Sequence, residues 1–237
     1  MNLGQALFTA ALHVAMSQAC AADVAVDVGH TVLRPGSTSA SGVAEFIFNH
    51  RLALAVANQL SLDGLAVHVI NGDGRIRSLD QRTLQASNEP LFVSIHHDSV
   101  QPQFLPVRDA RFSGFSIWVS RKTLAYAGSV RCAEILGDSL LSAGFKPSGY
   151  HADPIHGESR TPVDLARGIF LNDGLAVLNT ARSPAVLIEA GVIVNPEEEA
   201  RLSDAGSVRY QAQAIAAGVR RCKATLGPRF QQAAGFQ

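Results

Sequence analysis

Four ionisable residues stand at the boundaries of apolar runs in this sequence. His30 follows the β-branched segment 23–28, Glu45 opens a long amphipathic stretch, His96 closes Leu-Phe-Val-Ser-Ile-His, and Glu189 closes Ala-Val-Leu-Ile-Glu. An ionisable side chain at the tip of a buried strand is costly unless it is paired, ligating or catalytic. Two histidines and two glutamates can supply the three nitrogen and oxygen ligands of a hydrolytic zinc site and, in addition, its separate carboxylate. The set therefore predicts a zinc hydrolase.

Strands and helices alternate along the chain, and these elements must position the four residues. The strand pattern occurs at Asp23–Val28, Leu65–Ile70, Leu91–His96, Phe115–Val119 and Ala185–Glu189. Helical spacing occurs at Val43–Leu62, Ile76–Asn88, Leu124–Ala143 and Val208–Thr225. Residues 145–165 carry little periodicity, which indicates a loop beside the site. The alternation predicts an α/β fold: a single domain with a twisted, mostly parallel sheet flanked by helices, whose strand ends line the ligand crevice.

Composition restricts the class of partner. Among the 237 residues, Lys+Arg and Asp+Glu each number 20, so the formal net charge is zero. A neutral domain has no broad positive field to hold nucleic acid or an anionic membrane. No nucleic-acid partner is therefore expected.

The amino-terminal residues resemble a secretory signal. Residues 1–22 contain no charged side chain other than His13, and small residues precede Asp23. This pattern predicts a signal peptide over 1–22, a catalytic domain over 23–226, a tail over 227–237, and a periplasmic or secreted location. A short helix packed on the domain is the alternative. No segment is long enough to predict a membrane span.

Removal of such a signal would leave two cysteines, Cys132 and Cys222. We expect two buried thiols on helices. A disulfide is the alternative, because an oxidising compartment permits pairing and only geometry decides it.

Several short motifs occur in an order typical of one enzyme family. They are Asp27-Val28-Gly29-His30, Glu45 with Asn49, the Leu79/Arg82/Ala86/Asn88 stretch, Ser94-Ile95-His96, and Pro184–Gly191 with Asn195-Pro196. Over roughly residues 23–222 the chain resembles the zinc-dependent N-acetylmuramoyl-L-alanine amidases of the amidase-3 type, which cleave bacterial peptidoglycan. The resemblance implies Zn²⁺ held by His30, Glu45 and His96, Glu189 as the catalytic carboxylate, and peptidoglycan as the substrate.

The chain departs from the family pattern near two of these residues. Val28 and Thr31 replace the usual proline and glycine around His30, and His97-Asp98 follow His96 where a small residue and asparagine are usual. If the strand continues, His97 points to the side opposite His96, which favours His96 as the ligand. If the chain bends there, His97 or Asp98 faces the metal instead.

The segment after the third motif bears on regulation. Some family members carry a long helix there that blocks the site. Here only Ser99–Ser113 fills that place, which is too short for such a helix, so the resemblance implies an open site.

Other polar residues have simpler expected roles. The loop histidines His151 and His156 are expected to be solvated, with substrate contact as the alternative, and His50 and His68 are expected to be structural. Arg160 and Arg167 are expected to form surface salt bridges, with contact to substrate carboxylates as the alternative.

Two other functions remain open at this point. One is a related zinc peptidase or amidase acting on another amide. The other is a peptidoglycan-binding module with a vestigial metal site. The presence of all four candidate residues together favours catalysis.

Overall fold

The computed structural model describes residues 21–226. The strands are β1 Val24–Val28, β2 Val67–Ile70, β3 Phe92–Asp98, β4 Ser116–Val119, β5 Thr161–Asp164, β6 Ile169–Leu171 and β7 Ala185–Val192. The helices are α1 Glu45–Leu62, α2 Leu79–Gln85, α3 Tyr126–Ser142, α4 Ala176–Asn179, α5 Pro196–Ser203 and α6 Ala205–Thr225.

The strands form one seven-stranded sheet in the order β2-β1-β3-β7-β4-β6-β5. Strands β2, β1, β3 and β7 run parallel to one another, as do β4 and β6. Strands β4 and β7 pair antiparallel, as do β5 and β6. The predicted single α/β domain with a mostly parallel sheet is confirmed. Because β1, β3 and β7 are parallel neighbours, their carboxyl ends lie side by side.

Side-chain alternation divides the core between the two faces of the sheet. In β1, Val24, Val26 and Val28 pack with apolar residues of α1, α3 and α6. Ala25, on the other face, packs with the cluster that contains residues near α2 and in α4. The sheet therefore lies between two helical layers, as period-two alternation in a buried strand requires.

The long predicted elements agree with the structure, but the second half of the chain contains elements that the pattern did not predict. Strands β5 and β6 and helices α4 and α5 were not predicted. The prediction that residues 145–165 form only a loop was wrong at its end, because β5 begins at Thr161 and pairs with β6. Strand β5 is largely exposed and contains Pro162, so it lacks the apolar run that identifies a buried strand.

The expectation of two free thiols was also wrong. Cys132 of α3 and Cys222 of α6 form a disulfide, with their Cα atoms 5.0 Å apart. Both cysteines are fully buried where the two helices pack together. Sequence spacing could not reveal this pairing, because 90 residues separate the two positions.

The predicted signal falls outside the described residues over positions 1–20, and so does the predicted tail over 227–237. Within residues 21–226, no helix is both long enough and apolar enough to cross a membrane.

Candidate metal centre and catalytic site

His30, Glu45 and His96 come together at the carboxyl edge of the sheet. His30 Nε2 lies 3.1 Å from Glu45 Oε2, and His96 Nδ1 lies 3.3 Å from Glu45 Oε1. One ligand atom from each residue lies within 4.8 Å of the others. The first residue follows β1, the second begins α1, and the third lies in β3. Three elements that are distant in sequence therefore aim nitrogen and oxygen atoms at one point.

The carboxylate of Glu45 is buried and held from several sides. Asn49, one turn further along α1, donates to Oε1 at 3.0 Å, and the backbone N–H of Ser37 donates to Oε2 at 3.0 Å. Burial alone would raise the pKa of Glu45, but its hydrogen bonds with His30 and His96 outweigh burial and lower that pKa below its ordinary value. Glu45 is therefore ionised and orientated for a cation.

His30 adopts a left-handed backbone conformation, with φ of 63°, which is uncommon for a residue with a side chain. Two side chains secure this turn. Asn71 donates to the carbonyl oxygens of Val28 and His30 at 2.7 and 2.6 Å. Arg82, from α2, donates to the same two carbonyl oxygens, at 2.9 Å in the case of Val28. These contacts fix the direction in which the His30 ring leaves the chain.

A buried carboxylate balances the charge of Arg82. Asp27 is fully buried in β1, with Oδ2 3.4 Å from Arg82 Nη1, and Ser94 of β3 donates to that same oxygen at 2.6 Å. Burial raises the pKa of Asp27, while the charge of Arg82 opposes the rise. The sequence motif contained all three residues, but their shared role was not predicted. An aspartate inside a strand was the available signal, because a buried carboxylate requires a partner.

Adjacent histidines of β3 point in different directions. The His96 ring lies against Gly29, where an added Cβ would come within 2.5 Å of ring atoms, so glycine makes room for it. His97 Nδ1 instead donates a hydrogen bond to Asn49 Oδ1, 2.8 Å away, and the ring packs beside Phe48. Burial lowers the pKa of His97 to about 3, so it is neutral. The structure thus places His96, and not His97, in the cluster.

Glu189 lies beside this cluster. In the β3–β7 register it is the direct neighbour of His96, and parallel neighbours in register present their side chains on the same face. Its Oε2 atom is buried and has no hydrogen-bond partner within the described residues. Burial, together with the charges of Asp98 and Glu45, raises its pKa well above the ordinary value. A carboxylate with these properties is suited to accept and return a proton.

A cavity of about 570 Å³ borders Glu189. Asp98 lies in its wall and accepts hydrogen bonds from the Tyr150 hydroxyl at 2.5 Å and His151 Nε2 at 2.7 Å. His151 is buried among aromatic rings, contrary to its expected solvation, and its Nδ1 atom lies 3.8 Å from Glu158 Oε2. Asp98 therefore contacts the 145–165 segment and not the cluster of His30, Glu45 and His96. The hydrogen bond from Tyr150 to Asp98 was not predicted.

The other histidines that the sequence analysis considered, and Arg167, differ in exposure and in their bonding partners. His156 is exposed, His50 bonds the Gly72 carbonyl oxygen at 3.1 Å, and His68 pairs with Glu89. Arg167 forms the expected salt bridges, with Asp138 and Asp164.

The segment that follows β3 holds no blocking helix. Residues 99–113 contain one short turn of 3₁₀ helix, Pro102–Phe104. Glu189 accordingly borders an open cavity.

Comparison with known proteins gives a consistent result. A curated N-acetylmuramoyl-L-alanine amidase of Mycobacterium tuberculosis is 26% identical over 199 residues, which cover 81% of this chain and 74% of that protein. An N-acetylmuramoyl-L-alanine amidase structure from Clostridium difficile 630 superposes with a TM-score of 0.69 at 25% identity, covering 86% of this chain and 97% of the other.

The catalytic domain of CwlV, an N-acetylmuramoyl-L-alanine amidase from Bacillus (Paenibacillus) polymyxa, superposes with a TM-score of 0.65 at 27% identity, covering 84% of this chain and 96% of the other. The family model described as N-acetylmuramoyl-L-alanine amidase matches residues 24–221. The chain belongs to this family, the Amidase_3 amidases.

Proposed function

We propose that this protein is an exported, zinc-dependent amidase that hydrolyses the bond between the lactyl group of N-acetylmuramic acid and L-alanine in bacterial peptidoglycan. The observation that carries the proposal is the convergence of His30, Glu45 and His96 next to the unpaired carboxylate of Glu189. A vestigial binding module would need neither an intact ligand set nor a separate buried carboxylate.

The three residues fit a zinc ion. Zn–N and Zn–O bonds of about 2.0–2.1 Å in a tetrahedron place neighbouring ligand atoms roughly 3.3 Å apart. The two histidines lie 3.1 and 3.3 Å from different oxygens of Glu45, and one ligand atom from each of the three residues lies within 4.8 Å of the others, so the three side chains are close enough to share one ion. Gly36, with φ of 78°, also leaves room for the cluster, since a Cβ at this position would contact the side chains of Glu45 and His30. The donor set of two imidazoles and one carboxylate is one that catalytic zinc accepts.

Glu189 performs the proton transfers in this proposal. When bound, zinc polarises a scissile carbonyl and makes water more acidic. Glu189 takes the proton from the attacking water and passes it to the L-alanine nitrogen as the C–N bond breaks, because an amine leaves readily only when protonated. Burial raises the pKa of Glu189, which makes its carboxylate a stronger base for the first transfer, from water.

The disulfide supports an extracytoplasmic location. Disulfides persist in oxidising compartments and are rare in the cytosol. The bond between Cys132 and Cys222 agrees with the predicted signal over residues 1–22 and a mature catalytic domain over 23–226. Amino-terminal sequencing of protein recovered from the native envelope tests this part. A terminus near Asp23 is expected, and an intact Met1 on active cytoplasmic protein would contradict export.

Digestion of purified peptidoglycan, with and without a chelator, tests the activity. The expected products, identified by mass spectrometry, are stem peptides with an L-alanine amino terminus, and their release should stop with chelator and resume with zinc. Muropeptides cut within the stem would favour the related peptidase. Unaltered sacculi that retain the protein would favour the binding module. Chelator-resistant release of the same peptides would contradict zinc dependence.

A further inference from the structure

Arg160 is held as a fixed donor at the edge of the cavity that borders Glu189. Its backbone N–H donates to the carbonyl oxygen of His151 at 2.7 Å. Its Nη1 atom donates to the carbonyl oxygens of Gly157 and Ser159 at 3.0 and 2.9 Å. Within residues 21–226 the guanidinium makes no ion pair, contrary to the expected salt bridge. The Nε and Nη2 donors are left for another acceptor.

Arg160 also stands where two cavities meet. The first, of about 570 Å³, contains Glu189, and the second, of about 560 Å³, extends from Arg160 towards Arg121. Asn172 lines both cavities as well. Arg121 is already paired with Asp173 through two hydrogen bonds, so it is not the available cation. The groove thus leads from the proposed reacting carboxylate to one guanidinium with free donors.

The negative charges that line the groove explain why an anion would bind at Arg160 and not closer to Glu189. Asp98, Glu158 and Glu189 line the inner part of the groove. These side chains repel a carboxylate there. Burial raises the pKa of Glu158, and the charge of Arg160 opposes that rise. Within residues 21–226 the two side chains form no ion pair. A planar guanidinium whose Nε–Nη2 edge is free matches the geometry of a carboxylate.

We infer that Arg160 binds the α-carboxylate of the second residue of the stem peptide, and so determines which stems the enzyme cleaves. This inference rests on the proposed function. In peptidoglycan the stem continues from D-glutamate through its γ-carboxyl, so the α-carboxyl is free in some stems and amidated in others. It is the first carboxylate beyond the scissile bond, roughly 7 Å away in an extended chain.

The experiment compares two synthetic substrates that differ at one group. Both are N-acetylmuramoyl tripeptides, one with D-glutamate and one with D-isoglutamine at the second position. Steady-state kcat/KM is measured on the zinc-loaded wild type, Arg160→Gln and the matched control Arg182→Gln. Arg182 is exposed, lines neither cavity, and lies just before the amino end of β7, away from the carboxyl edge.

The wild type should prefer the free carboxylate by about 10- to 100-fold, the range expected for a charge-assisted hydrogen-bonded pair. Arg160→Gln should lose that preference, mainly through kcat/KM on the D-glutamate substrate, while Arg182→Gln keeps it. A wild type that cleaves both substrates equally would overturn the inference and leave the amidase proposal intact. An Arg160→Gln variant that slows both substrates alike would show a structural role and also overturn it. A wild type that cleaves neither would refute the proposed function itself.

Discussion

Replacement of Arg82 by methionine tests the buried network beneath His30. Arg82 is only 1% exposed and bridges α2 to Asp27 and to two backbone carbonyl oxygens. Methionine keeps much of the length of the side chain and all of its apolar packing but removes every donor. The change therefore separates charge and hydrogen bonding from volume.

The expected loss of stability is large because Asp27 would become a buried carboxylate with only Ser94 as a partner. Breaking a buried pair on one side costs about 3–5 kcal/mol. A typical domain has about 5–15 kcal/mol in total, so Arg82→Met should be marginally stable at 25 °C. Burial already raises the pKa of Asp27. The folded variant would bind a proton more tightly than the unfolded chain, so its free energy of unfolding should fall further as the pH rises above about 4.

A second substitution divides this loss into two parts. Asp27→Asn in the Arg82→Met background removes the uncompensated charge, and part of the stability should return. The carbonyl oxygens of Val28 and His30 would still lack the donors of Arg82, although Asn71 continues to contact them. Zinc affinity should therefore stay reduced, by about 10- to 100-fold as for other groups that orient metal ligands.

Urea unfolding of the zinc-free proteins at pH 7, and zinc competition with a chromogenic chelator, measure the two effects. Unfolding of Arg82→Met within about 0.5 kcal/mol of the wild type would refute the argument for a stabilising buried network. Full recovery of zinc affinity in the double variant would refute the positioning of His30 by Arg82.

Three further predictions concern stability. Replacing Cys132 and Cys222 by alanine should lower the free energy of unfolding by about 4–5 kcal/mol, because the cross-link spans 90 residues; equal urea midpoints for the variant and the oxidised wild type would contradict this. In zinc-free protein, Glu189→Gln should raise the melting temperature above that of the wild type at pH 7–8, because burial raises the pKa of Glu189 and ionising it costs folding energy. That advantage should shrink as the pH falls towards about 4, and calorimetry showing no dependence on pH would count against a buried carboxylate. The pKa of His97 is lowered to about 3, so zinc-free wild type should lose stability below about pH 6.5 as the unfolded chain alone takes up a proton. His97→Gln should lack that component of acid destabilisation, and identical pH profiles would show that His97 titrates freely.

The sequence predicted the half of the fold in which apolar periodicity is strong. Strands β1, β3 and β7 are largely buried apolar runs, so the strands could be located, although β3 continues to Asp98 and β7 to Val192, beyond the predicted ends. Glu45 begins a helix of 18 residues, close to the predicted start at Val43. Parallel pairing of these strands then brings the residues near their carboxyl ends together without further information. This is why four residues distant in sequence could be proposed as one site.

The remainder depends on contacts between segments that show no local pattern. Strands β5 and β6 are only four and three residues long, and β5 is mostly exposed, so neither produces a readable apolar run. The disulfide requires two helices to pack at a particular rotation. Likewise, the burial of His151 against Trp118 follows from the path of a segment with little periodicity. Such features follow from tertiary packing and not from spacing.

Turnover by zinc-loaded Glu189→Gln tests the central claim most directly. The variant should retain about one zinc per chain, since His30, Glu45 and His96 are unchanged. Its rate of release of L-alanine-terminated peptides from a purified muropeptide should fall by at least about 10²-fold, because glutamine cannot transfer protons. Activity above about a tenth of the wild-type rate would contradict a catalytic role for Glu189. Loss of zinc from the folded variant would contradict the assignment of His30, Glu45 and His96 as the complete set of protein ligands.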